Sequence, residues 1–456
     1  MDKLPFSPVK RPPHDPLNEV AGVRRDFLSD TEIAYGRFVP HRFLQLLGLN
    51  DIREVELGMQ VERKMTVLFS DIREFTSLSE EMSPQENFNF LNSYLLQMEP
   101  VIAAHGGMID KYIGDGIMAL FPDSPDEALR GALAMLAKLD EYNTGRERAG
   151  YRPIRIGIGI NTGIVILGTV GGFGRMDGTV IGDAVNLAAR LERLTKEYKV
   201  PLLISEYTLY SLENPEPYSI RFLDRTRIRG KQDNQSVFEV FDADPPQMRI
   251  AKRETRKQFE QAIAYFHLDD LIEATEQLIT LRQAAPDDGA LSVYLERCTG
   301  IEAQLRMGGG QGVELSAEWR KELCIGVERV DKAHENLLTD MNALTRAIQV
   351  SNFNLTPPLL AQIQFSAAAA FTIEEEMMHE TGYPFIVLHA RQHQRFFEFF
   401  AELRAEIEGG KENTRYLAFR IKRLLTDWLI NHILNADRHF GFAIHKRSGQ
   451  SPPPQQ

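Results

Sequence analysis

Asp71 closes the apolar run Thr66-Val67-Leu68-Phe69-Ser70, and Asp115 sits in Gly114-Asp115-Gly116 just before Ile117-Met118-Ala119-Leu120-Phe121. An apolar strand ending in a carboxylate points that carboxylate out of the sheet. Glycines on both sides of Asp115 permit a tight hairpin. Two such carboxylates suit magnesium, a hard cation that keeps substrate phosphates among its ligands. A metal pair would clamp the attacking and leaving oxygens of a phosphoryl transfer. Spacing alone also fits two turn aspartates in unrelated hairpins.

A second group lies far downstream. Seven of the 11 histidines fall between residues 331 and 446. His389 and His393 are four apart, so both rings project from one helix face and reach one metal. Ala370 and Glu374 share that spacing on the preceding helix. His432 and Asp437 are five apart, which in a regular helix is a rotation of about 140°. Joint ligation by that pair requires a π-bulge or a distorted helix end. His334 lies on the first helix of the region. Taken singly, each of these histidines also fits a solvated or capped ring.

The elements that must position these groups follow from patterning. Met65 to Phe69, Ile154 to Ile160 and Val237 to Phe241 read as strands, and Pro84 to His105 and Ala128 to Tyr142 as helices. That mixture predicts an α/β or α+β domain over 61–245, closed by Pro245-Pro246. Ile156 to Gly174 is 19 residues long and nearly free of charge, yet it holds seven glycines and opens with strict alternation. We read it as a buried hairpin turning at Asn161-Thr162-Gly163, not as a membrane span. Residues 250–305 read as two or three helices and resemble a tetratricopeptide-type pair. Gly308-Gly309-Gly310 is a linker. From 312 to 446 the pattern is helical. Thr356-Pro357 opens one helix, Gly382-Tyr383-Pro384 breaks it, and Gly409-Gly410 ends the next, which predicts an up-down four-helix bundle. Residues 1–60 read as a tail and lead-in segment, and 447–456 as a disordered tail.

Composition narrows the function. The chain has 456 residues with 52 Lys+Arg against 64 Asp+Glu, a net charge of −12. Non-specific nucleic-acid binding is not expected. The two cysteines, Cys298 and Cys324, exclude a disulfide framework and a cysteine-rich zinc site. No apolar leader follows Met1, so a cytoplasmic location without membrane insertion is expected.

Longer words sharpen the first group. Phe69-Ser70-Asp71-Ile72-Arg73-Glu74-Phe75-Thr76, Gly106 to Gly116, and Gly182-Asp183-Ala184-Val185-Asn186-Leu187-Ala188-Ala189-Arg190 together resemble the class III nucleotidyl cyclases over about 61–242. Arg37-Phe38-Val39-Pro40 to Gly58 resembles the lead-in of many bacterial members. The resemblance implies a ferredoxin-like α+β domain acting as a head-to-tail homodimer. It implies conversion of a nucleoside triphosphate to a 3′,5′-cyclic monophosphate and pyrophosphate. Carried over by motif, Asp71 and Asp115 hold two Mg2+ or Mn2+ ions, Asn186 orients the ribose, Arg190 stabilises charge on the transferring phosphoryl group, and Lys231 binds the triphosphate. The resemblance also implies that the metal aspartates and the Lys111, Thr179, Asn186 and Arg190 set come from different subunits. The purine-reading positions are Lys111 and Thr179. A lysine donates to adenine N1 and a threonine hydroxyl accepts from N6, whereas guanine N1–H faces the lysine unpaired. That mismatch costs about 1–3 kcal/mol per group, which favours ATP. Glu74 departs from the family, where glycine is commoner.

The second group resembles the hemerythrin family over about 315–446. The resemblance rests on Trp319, Ile325-Gly326, Asp331-Lys332-Ala333-His334, Phe371-Thr372-Ile373-Glu374-Glu375, Gly382-Tyr383-Pro384, His389-Ala390-Arg391-Gln392-His393 and His432 to Asp437. It implies a non-haem di-iron pair. His389, His393 and His432 would serve one iron, Glu374 and Asp437 would bridge, and His334 would serve the other. Ala370 stands where the family has a seventh ligand, histidine. An open position, a substitute ligand such as His379 or Glu375, or a half-occupied site would follow. The expected whole is an adenylyl cyclase controlled by an oxygen-, redox- or iron-responsive bundle. The rivals are a guanylyl or relaxed cyclase, an iron protein with a non-catalytic cyclase-fold dimerisation module, and a bundle that only oligomerises.

Overall fold

In this computed structural model the described residues are 41–172, 174–227, 234–300, 313–410 and 412–448. They form two compact units, the described residues of 41–158 with 163–189, and those of 159–162 with 190–448. The long strand β4 (Ile156–Gly172) carries residues of both.

In the first unit, β1 (Gln60–Ile72) pairs antiparallel with β3 (Gly116–Phe121), placing Ser70 opposite Ile117. Strand β2 (Met108–Ile113) closes a hairpin onto β3, with Ile113 opposite Gly116. Strand β5 (Arg175–Ile181) pairs with the far half of β4. Alternate apolar residues of these strands face a core of Met65, Val67, Met118, Leu120, Val165 and Leu167. The opposite face carries Leu68, Ile117, Ala119 and Phe121, also buried, so β1 and β3 are apolar on both faces and their burial is the main driving force. Helix α1 (His41–Leu46) supplies Phe43 to this core, and α2 (Phe75–Glu80) follows β1. Helix α3 (Pro84–Ala104) begins with a full capping box between Ser83 and Glu86. Helix α4 (Pro125–Arg148) starts from the Ser124 cap.

Helix α5 (Asp183–Glu197) passes from the first unit into the second. The second unit holds β6 (Leu202–Ser205), α6 (Glu206–Ser211), β7 (Ile220–Arg227) and β8 (Asn234–Val240), ordered β6-β8-β7. Helices α7 (Pro246–His267), α8 (Leu271–Ala284) and α9 (Gly289–Thr299) come next. Arg221 of β7 is wholly buried between Glu239 and the α9 cap Asp288, with bonds of 2.7 and 2.8 Å to the Asp288 carboxylate. A fully paired guanidinium of this kind ties strand and helix in one register.

The C-terminal region is all-helical. It comprises α10 (Glu328–Gln349), α11 (Thr356–Thr381), α12 (Ile386–Gly409) and a stretch from Thr414 to Ser448. Gly382 and Gly410 take the left-handed conformation that stops α11 and α12. The last stretch runs α13 (Thr414–Ile421), a π-helical segment Lys422–Asp427, α14 (Trp428–His432), a second π-helical segment Ile433–Asp437 and α15 (Arg438–Ser448). No described helix is long and apolar enough to cross a membrane.

One expectation is corrected. Asn161-Thr162-Gly163 is not a turn but lies inside β4. The polar groups that suggested a turn are satisfied sideways. Asn161 Oδ1 accepts from Ser205 Oγ at 2.6 Å, and Thr162 Oγ1 meets Thr208 Oγ1 at 3.2 Å. The chain reverses between β4 and β5 instead.

Candidate metal and nucleotide sites

The β1–β3 register sets Asp71 beside Gly116, and the β2–β3 turn sets Asp115 beside both. A Cβ at Gly116 would lie 3.3 Å from Asp71 Oδ1 and 3.1 Å from the Ile113 carbonyl, so only glycine fits there without displacement. Gly114, at φ +65°, supplies the left-handed turn residue. Asp115 Oδ2 accepts a hydrogen bond from the Ile72 amide at 3.2 Å. Burial and then the neighbouring Asp71 carboxylate push the Asp115 carboxyl well above the ordinary carboxylate range. An Asp115 carboxyl raised by burial and by a neighbouring carboxylate is a fitting donor for a divalent cation, which relieves the repulsion.

Lys111 leaves β2 and Thr179 leaves β5, and the Lys111 ammonium donates to Thr179 Oγ1 at 2.7 Å. Asp110 Oδ2 stands 3.2 Å from the same ammonium. The two residues expected to read a purine are therefore in direct contact within one chain. Asn186 and Arg190 lie one turn apart on α5. Arg190 Nη2 donates to Thr226 Oγ1 of β7 at 2.9 Å. Thr226 gave no signal in the sequence, because only the sheet brings position 226 to position 190. Lys231 lies outside the described residues.

In the helical region, α10 contributes His334, α11 Glu374, α12 His389 and His393, α14 His432, and the second π segment Asp437. All six are at most 3% exposed. Residues five apart return to one face only where the bonding is i→i+5, and Ile433–Asp437 is π-helical. Both carboxylates split their oxygens. Glu374 Oε1 is 2.7 Å from His334 Nε2, while its Oε2 is 3.1 Å from the Nε2 atoms of His389 and His393. Asp437 Oδ2 is 3.6 Å from His334, while its Oδ1 is 3.0 Å from His389 and 3.1 Å from His432.

The donor atoms crowd together, several within hydrogen-bonding distance of one another. His393 Nε2 and His432 Nε2 face each other at 3.1 Å. Both Asp437 oxygens are buried without a hydrogen bond of acceptable geometry, despite those short approaches. Such a set of buried imidazoles and carboxylates would suit a pair of cations. One locus gathers Glu374, His389, His393 and His432, the other His334, Glu374 and Asp437. Burial raises the Glu374 carboxyl, but the His393 and His334 imidazoles outweigh it and hold the group well below its usual range.

The ring nitrogens turned away from the donor centre are held. His393 Nδ1 meets Glu375 Oε1 at 2.7 Å and His432 Nδ1 meets Gln392 Oε1 at 2.9 Å, which orients both rings for ligation through Nε2. Phe371 stacks on His393 with centroids 4.0 Å apart, and Trp428 on His432 at 4.7 Å. The poorer locus is explained by Ala370, buried one turn before Glu374. Neither suggested substitute joins it: Glu375 is engaged by His393, and His379 is exposed.

Residues 57–240 match the family model described as the adenylate and guanylate cyclase catalytic domain. An adenylate cyclase of Anabaena cylindrica is 46% identical over 219 residues, covering 47% of this chain and 44% of that protein. The terminal-differentiation-specific adenylate cyclase of Dictyostelium discoideum is 34% identical over 277 residues, covering 59% of this chain and 13% of that protein. A bacteriohemerythrin of Stenotrophomonas maltophilia is 28% identical over 132 residues, covering 29% of this chain and 84% of that protein. The chain thus spans less than half the length of either cyclase relative. Residues 57–240 form a catalytic domain of the class III adenylate cyclase type. The chain joins that domain to a hemerythrin-like domain.

Proposed function

We propose that the protein converts ATP to 3′,5′-cyclic AMP and pyrophosphate in a site shared by two copies, under control of a non-haem di-iron centre in the C-terminal domain. The convergence of Asp71 and Asp115 at the end of a β-hairpin carries the catalytic reading. Those two residues would hold two Mg2+ or Mn2+ ions, which acidify the ribose 3′-hydroxyl and neutralise the phosphates. The 3′-oxygen attacks the α-phosphorus, the bond to the β-phosphate oxygen breaks, and pyrophosphate leaves. Arg190 is placed to offset charge on the phosphoryl group in flight, a task for a fixed cation. Asn186 orients the ribose and Lys231 binds the triphosphate. Lys111 donates to adenine N1 and Thr179 accepts from N6. In the homodimer, one copy supplies the aspartates and its partner the nucleotide-reading side chains.

We read 61–245 as the cyclase domain, 250–305 as a tetratricopeptide-like linker and 312–446 as a four-helix hemerythrin-like bundle. The bundle responds to oxygen, redox state or iron supply. A coupling of about 1–3 kcal/mol gives a 5–150-fold change in output. The test is cyclic AMP output in the anaerobic reduced state and after air oxidation. A several-fold difference, lost in His393→Ala and His432→Ala, is the expected result. Equal output would end the sensor reading and leave the cyclase reading standing. Output unchanged by Asp71→Ala would overturn the catalytic assignment.

A further inference from the structure

The helical stretch that carries His432, α14 with its two flanking π segments, has a second, polar side. Asp427, Asn431 and Asn435 are spaced four apart along it, and each engages the sheet or α6 of the same unit. Asp427 pairs with Arg225 of β7 and lies 3.1 Å from Lys422. The Asn431 amide donates to Glu206 of α6 and, at 3.2 Å, to the Asn234 carbonyl of β8. Asn435 donates to the Tyr207 hydroxyl, which also accepts from Gln235. Trp428, stacked on His432, meets Tyr210 edge-on. Arg225, Glu206, Asp427 and Asn431 are all buried.

The next residue along β7 is Thr226, whose hydroxyl holds Arg190. Successive residues of a strand point to opposite faces. Arg225 therefore grips the helix on one face, while Thr226 grips the guanidinium on the other. A buried charge pair adds little net stability over an apolar seam, but it tolerates only one register. A shift of His432 or Asp437 moves a stripe already bonded to β7, α6 and β8.

We propose that Asp427, Asn431 and Arg225 are positioning residues that transmit the state of the di-iron site through β7 and Thr226 to Arg190. This rests on the function proposed above and names its route. The test uses the full chain, iron-loaded and iron-free. Backbone amide exchange is read over Ile220–Arg227, alongside kcat and KM for ATP and bound iron. In the unaltered protein, iron loading should slow exchange in β7 several-fold. Asn431→Ala and Asp427→Asn should bind the same iron, lose that difference, and lose the iron dependence of kcat with KM unchanged. Asn431→Ala removes no charge, so it reports even if Asp427→Asn misfolds. Equal β7 exchange with and without iron in the unaltered protein overturns the proposal, as does full retention of the difference in Asn431→Ala. If no cyclic AMP forms but the exchange difference is present and lost in Asn431→Ala, the coupling route stands and the cyclase reading fails.

Discussion

His393 and His432, on different helices, turn their Nε2 atoms toward each other at 3.1 Å, each ring backed by an aromatic face and held at Nδ1 by an oxygen. Two ring nitrogens held that way are prepared for a cation between them. Removing iron with a chelator should lower the melting temperature by several degrees, because binding to the folded state alone stabilises it. Calorimetry with and without iron measures the shift.

The two loci are unequal in donors, three histidines against one. Ala370→His restores a ring one turn before Glu374. Iron bound per chain at limiting free iron should rise, since the donor-poor locus gains a protein ligand. Elemental analysis after anaerobic iron loading decides it.

Much of this buried cluster is legible in the sequence, because its histidines and carboxylates sit at short fixed spacings on helices. The five-residue gap between His432 and Asp437 even demands a wider turn. Contacts across the sheet are not legible. Nothing local links Arg190 to Thr226 or Arg225 to Asp427, and Asn161-Thr162-Gly163 has turn chemistry yet lies in a strand. The orienting partners Glu375 and Gln392 adjoin ligand positions, but only the helix packing shows which rings they touch.

Asp115→Asn should abolish cyclase activity, a loss of at least about 100-fold expected when charge stabilisation at the phosphates is removed. The same change removes the repulsion with Asp71, so the melting temperature should hold or rise. A drop in both would instead mark Asp115 as structural.

Lys111→Glu should move the base preference. Exchanging a donor for an acceptor opposite purine N1 is worth about 1–3 kcal/mol, or roughly 5- to 150-fold in the ATP/GTP ratio of kcat/KM. Competition between the two nucleotides reads that ratio directly.

Burial pushes the Glu206 carboxyl up to about 8, against hydrogen bonding from Ser236 and with Arg225 and Asp427 nearby. The folded state therefore binds this proton more tightly than the unfolded chain. Its contribution to stability is full below about pH 4.5 and is lost as pH rises through about 8. Glu206→Gln should flatten that decline in urea titrations between about pH 4.5 and 8.

Glu74 occupies the left-handed region at φ +58°, a conformation glycine takes more readily. Glu74→Gly should stabilise by about 1 kcal/mol by relieving that conformation. Equal midpoints in denaturant would show that the backbone strain is negligible.

The seam around β7 also bears on how modular the chain is. Cutting after residue 240 would leave the family-matched segment intact in sequence but would strip Asp288 from Arg221 and Asp427 from Arg225. The excised piece would leave Arg221 with Glu239 alone, leave Arg225 without its carboxylate partner, and expose the faces of Phe222 and Tyr210 that meet Phe419 and Trp428. Such a fragment should aggregate and work poorly. Strands β7 and β8 and the helices that follow them are thus better regarded as one folding partnership than as two exchangeable cassettes.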